Sequence, residues 1–63
     1  MVEEKKEKIK VIIADDHALV REGIAKILSL EADIEILGEA SDGKEAVELA
    51  KKLKPDVVLM DIN

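Results

Sequence analysis

The chain has 63 residues and a net charge of −5, with 40% of its residues charged and no Cys, Phe, Tyr or Trp. A domain this small buries only about 60% of its unfolded surface, and without a disulfide the usual supplements left are a metal or a partner chain. The acidic balance excludes a basic nucleic-acid surface, no apolar run nears the ~20 residues of a membrane span, and the N-terminus lacks a signal-peptide core, so a cytoplasmic protein is expected.

Residues 1–8 (MVEEKKEK) form a charged leader with no period. Ile9–Ala14 is an almost unbroken apolar run, the signature of a strand buried on both faces. Asp15, Asp16 and His17 then make a tight strand-to-helix turn, with Asp16 or His17 capping the helix that follows. Val20, Ile24, Ile27 and Leu28 fall at i, i+4, i+7 and i+8 and predict the buried stripe of a helix over 18–30. Gly23 inside it costs up to ~1 kcal/mol relative to Ala, which suggests close packing of helix on strand. Arg21 and Glu22 read as a solvated helix face. Ile34–Ala40 alternates in part, as an edge strand does. Asp42 with Glu45 has the spacing of a capping box, and opens a second helix whose stripe is Ala46, Leu49, Ala50 and Leu53. Pro55 stops that helix, and Val57-Val58-Leu59-Met60 is a second fully apolar strand. Gly38 and Gly43 read as turn or bulge positions, since no Gly-rich loop follows the first strand.

The order β-α-β-α-β predicts an α/β fold with a parallel sheet and right-handed crossovers. The first and third strands both end in acids: Ala14 is followed by Asp15-Asp16, and Met60 by Asp61. Side by side, they bring Asp15, Asp16 and Asp61 to one rim, at the edge where open α/β sheets hold their ligands. Three carboxylates there repel one another unless a cation joins them. Mg²⁺ suits such oxygen donors, often together with a phosphate, and a strand-end carboxylate can itself become a phosphoryl acceptor. The alternative is that Asp15 and Asp16 only cap the helix and Asp61 only ends a strand. His17 is read as a turn residue rather than a ligand, because carboxylates already suffice for Mg²⁺.

Three stretches together resemble a known family. Val11-Ile12-Ile13-Ala14-Asp15-Asp16-His17 with Leu19-Val20-Arg21-Glu22-Gly23-Ile24 is similar to the opening of bacterial response regulator receiver domains. His17 and the Val-Arg-Glu-Gly run resemble the NarL/FixJ type in particular. Gly38 to Ala46 and Pro55 to Ile62 match the same family in order and spacing. The resemblance covers residues 9–63 and implies the first half of a flavodoxin-like fold, strand order 2-1-3. It implies that Asp61 accepts a phosphoryl group from a histidine kinase, in a phosphorelay that controls a DNA-binding output domain. It further implies Asp16 as the main acidic Mg²⁺ ligand, Asp15 as its companion, and the Asn63 backbone carbonyl as completing the shell. Ala18 departs from the proline often found there.

The family's last two strands, with their hydroxyl residue and lysine, have no counterpart in these 63 residues. On this reading the chain is not an enzyme. It is a fold fragment with little or no signalling activity, completed by self-association through the exposed edge of residues 57–60 or by domain exchange. A residual Mg²⁺-binding phosphoacceptor is one alternative. An aspartyl phosphohydrolase is another, disfavoured because no second acidic residue follows Asp61 to act as general acid/base.

Overall fold

A computed structural model describes residues 8–61; the proposed leader, apart from Lys8, and Asn63 lie outside them. The elements are β1 (Ile9–Asp15), α1 (Ala18–Ser29), β2 (Ile34–Ala40), α2 (Gly43–Leu53) and β3 (Val57–Asp61). The three strands form one parallel sheet in the order β2-β1-β3, so the molecule is a βαβαβ half of a flavodoxin-like fold. Because β2 and β3 lie on opposite sides of β1, right-handed crossovers put the two helices on opposite faces. The burial of consecutive residues Val11 to Asp15 along β1 fits this, since both faces of the central strand are covered.

Helix α2 is set by local chemistry. Asp42 Oδ1 accepts from the Glu45 backbone N–H at 2.8 Å, and Glu45 Oε1 accepts from the Ser41 N–H at 2.7 Å. The reciprocal pair is the expected capping box, with the glutamate reaching one residue beyond the cap. Replacing Asp42 with Ala should lower stability by about 1 kcal/mol in urea unfolding. The helix ends where Lys54 takes a left-handed conformation, φ 51°, ahead of Pro55. Its inward face is small: Ala46 meets Ala14 and Ala40, with Leu49 and Val58 against them. Gly38 lies under this face, but an added Cβ would meet only ordinary van der Waals contacts, so the packing does not require a glycine. A Cβ there would stand 3.5 Å from Leu53 Cδ1 and 3.6 Å from Leu49 Cδ1. Gly38 also follows a register shift, in which Val11 pairs with Ile36 and Ile12 with Gly38, leaving Leu37 as the extra residue of a bulge.

Helix α1 departs from expectation in three ways. It ends at Ser29, one residue early, with Leu30 as its C-cap. The side turned to the sheet carries Arg21, Ile24, Ala25 and Leu28, all half-buried, whereas Val20 and Ile27 are exposed. Gly23 is also exposed, with nothing within 4 Å of where its Cβ would be. Packing against the strand therefore does not demand this glycine. The physical reason is common to the last two: α1 packs on β1 and β2 and does not reach β3, which only α2 covers. On the α1 side of β3, Val57 and Leu59 are left partly exposed, and β3 is an edge of the sheet among the described residues.

The start of β3 is clasped to β1. Asp56 Oδ2 accepts from the Lys10 N–H and the Asp56 N–H donates to the Lys10 carbonyl, both at 2.8 Å. From this anchor the ladder runs Val11–Val57, Ile12–Val58, Ile13–Leu59, Ala14–Met60 and Asp15–Asp61.

Candidate functional site

The two apolar strands deliver Asp15 and Asp61 to the same level of the sheet as register partners. Both line a cleft of about 260 Å³ between α1 and β3, whose other walls are Ala14, Ile24, Leu59 and Met60. One end of the cleft is thus acidic and the remainder apolar.

Asp15 is 2% exposed. Its Oδ1 accepts from the His17 backbone N–H at 2.8 Å, an Asx-type turn in which the side chain organises the two residues after it. This corrects the expected cap. His17 occupies the N-cap position but makes no side-chain cap bond, and neither it nor Asp16 closes the helix start. The His17 carbonyl accepts the first helical bond, from the Arg21 N–H at 2.9 Å. The signal for this was present in the sequence, since an Asp side chain commonly accepts from the backbone N–H two residues further on.

Arg21 also differs from the solvated residue expected. It is half-buried, and its Nη1 donates to the Asp15 carbonyl at 2.7 Å while Nε lies 3.3 Å from Glu39 Oε1. The guanidinium fork therefore ties α1 to the end of β1 and to β2 at once, a geometry its planar donors suit and a lysine's do not. Spacing alone could not reveal this, because Arg21 lies at a helical position that is polar on paper.

His17 Nδ1 is 2.9 Å from Asp16 Oδ1 and 3.5 Å from Asp15 Oδ1. One ligand atom from each of Asp15, Asp16 and His17 lies within 4.8 Å of the other two; Asp61 is not in that group and faces it from the neighbouring strand. The imidazole is exposed to solvent and stands beside the two turn carboxylates. Of the three acids, Asp15 is buried, whereas Asp16 at the turn and Asp61 at the strand end are exposed. Their oxygens form a hard donor set of the kind Mg²⁺ takes, and the residues present fit that ion.

The family profile for the response regulator receiver domain matches residues 11–63. The chain belongs to this family, as a receiver of the NarL/FixJ type. It is 52% identical over 56 residues to transcriptional regulatory protein DegU of Brevibacillus brevis, covering 89% of this chain and 24% of the relative. Over 54 residues it is 56% identical to transcriptional regulatory protein LiaR of Bacillus subtilis, covering 86% of this chain and 26% of the relative. Among solved structures, the signal receiver domain of the response regulator NarL from Mycobacterium tuberculosis superposes with a TM-score of 0.85 at 49% identity, covering 87% of this chain and 44% of that one. The response regulator domain of Thermotoga maritima CheB superposes with a TM-score of 0.87 at 44% identity, covering 90% and 42%. The chain thus spans about a quarter of the length of these curated relatives and under half of the solved receivers. No helix among the described residues is long and apolar enough to cross a membrane.

Proposed function

We propose that this chain is the acidic half of a phosphoacceptor receiver module, residues 9–63, in which Asp61 takes a phosphoryl group from a histidine kinase of a cytoplasmic phosphorelay. The observation that carries the reading is the register of Asp61 with Asp15 at the carboxyl ends of two parallel strands, one residue from Asp16. Asp16 and Asp15 would hold Mg²⁺ together with Asp61, and the family resemblance would add the carbonyl of Asn63, which lies outside the described residues. When bound, such an ion would supply charge neutralisation for phosphoryl oxygens. Asp15 stays oriented by its bond to the His17 N–H, and Arg21 holds the Asp15 carbonyl, so the acidic turn is set before any ligand arrives. The Asp61 carboxylate oxygen is the nucleophile.

In a longer protein the same event controls a DNA-binding output segment. As a separate molecule the chain has an open β3 edge, with Leu59 and Met60 exposed beside it. It closes that edge by pairing with a second copy. The test is incubation with acetyl phosphate and Mg²⁺ followed by peptide mass mapping. A gain of one phosphate on Asp61, abolished by Asp61→Asn, is expected. Label on another residue, or uptake unchanged by that substitution, contradicts the proposal.

A further inference from the structure

Asp16 stands between two peptide units, each gripped by a side chain. A peptide unit is planar, so fixing its carbonyl or its N–H fixes the direction of the whole plane. The Asp15–Asp16 unit is held through its carbonyl, which accepts from Arg21 Nη1 at 2.7 Å. The Asp16–His17 unit is held through its N–H, which donates to Asp15 Oδ1 at 2.8 Å. The second grip comes from a buried carboxylate at the end of the central strand. The first comes from the tip of a long side chain, which has to be aimed.

We infer that Glu39 aims it, and that Glu39, acting through Arg21, is a positioning residue for Asp16. Its Oε1 lies 3.3 Å from Arg21 Nε. Glu39 does not line the acidic cleft, and it belongs to β2, whereas the acids come from β1, its following turn and β3. It reaches Arg21 because of register. Glu39 pairs with Ile13, and Ile13 pairs on its other side with Leu59, so all three side chains face α1. A guanidinium held at one nitrogen can still turn; held at two, its plane is fixed. The Arg21 side chain is 19% exposed and that of Glu39 41%, and an ion pair so placed adds little to stability after screening. What it supplies is direction. With Nε turned to Glu39, Nη1 is left pointing at the Asp15 carbonyl.

The role of Glu39 rests on the reading of Asp16 as a Mg²⁺ ligand. Groups that orient a metal's ligands contribute about 10–100-fold to its affinity, and one that acts through a peptide plane belongs at the lower end. Glu39 stands one step further back than Arg21, so its share is smaller.

Calorimetry and NMR of the metal-free protein test this together. Arg21→Lys keeps the charge but replaces the fork by a single nitrogen, and should weaken Mg²⁺ binding about tenfold. Glu39→Gln should weaken it about threefold, below the usual range for a direct partner. Glu35→Gln removes the same charge from the other end of β2 and should leave affinity unchanged. Without metal, Arg21→Lys and Glu39→Gln should both shift the amide signals of Asp16 and His17. Asp42→Ala, which loosens the start of α2 instead, should leave those two signals in place. An unmoved Asp16 amide in Glu39→Gln overturns the inference. So does an equal loss of affinity in Glu35→Gln, which makes the effect one of net charge. If Asp16→Ala leaves Mg²⁺ binding unchanged, the reading of the metal site fails instead, and the metal-free amide signals alone decide whether Glu39 positions the turn.

Discussion

Replacing Ile12 with alanine is expected to leave most of the chain unfolded at 25 °C. Ile12 is fully buried in the central strand, where α2 covers one face of the sheet and α1 the other. Deleting buried methyl and methylene groups from such a site costs about 2–5 kcal/mol, through lost transfer energy and the cavity left behind. A domain of this size has little stability in reserve, and the rest of its buried apolar set is short: Val11, Ile13, Ala14, Ala40 and Ala46. Far-UV circular dichroism with a urea titration reads the effect directly. Leu19→Ala, at an exposed site, should move the urea midpoint by less than about 0.5 kcal/mol equivalent. If the two substitutions proved equal, the core would not lie where β1 places it.

The second large effect concerns the acidic turn. Asp16→Ala should weaken Mg²⁺ binding at least tenfold, about 1.4 kcal/mol or more, as measured by isothermal titration calorimetry. Asp16 is the informative position because its carboxylate is exposed at the turn and its side chain takes no part in holding the backbone. Asp15→Ala is a poorer probe. It removes the acceptor for the His17 N–H as well as a ligand, so the helix start loosens along with the site. Mg²⁺ affinity unchanged by Asp16→Ala would remove the carboxylate turn from the metal's surroundings.

Much of this architecture could be read in the residues alone, for identifiable reasons. Two of the strands follow apolar runs and β2 a partly alternating one, and their ends fall within one residue of expectation, because runs bounded by Asp, by Ser41 or by Pro55-Asp56 have sharp edges. The second helix was legible through Asp42, Glu45 and Pro55, each of which acts locally. The first helix was harder. It is apolar on nearly every side, with Leu19, Val20, Ile24, Ile27 and Leu28 spread round it. Periodicity can name a stripe there but cannot say which of two stripes meets the sheet; that depends on α1 lying over β1 and β2 and stopping short of β3. The reach of Arg21 to the Asp15 carbonyl and the approach of His17 to Asp16 were equally hidden, since both depend on side-chain direction rather than spacing.

The hydrogen-bond exchange between Asp56 and Lys10 sits at the far end of the sheet from the acids, yet it decides which way the last acid looks. Side chains alternate faces along a strand. Were β3 to slide by a single position against β1, the residue opposite Asp15 would change, and Asp61 would point to the α2 side. The chemistry of one rim is therefore hostage to one main-chain bond and one carboxylate at the other, and a change at Asp56 can silence the acceptor without touching it.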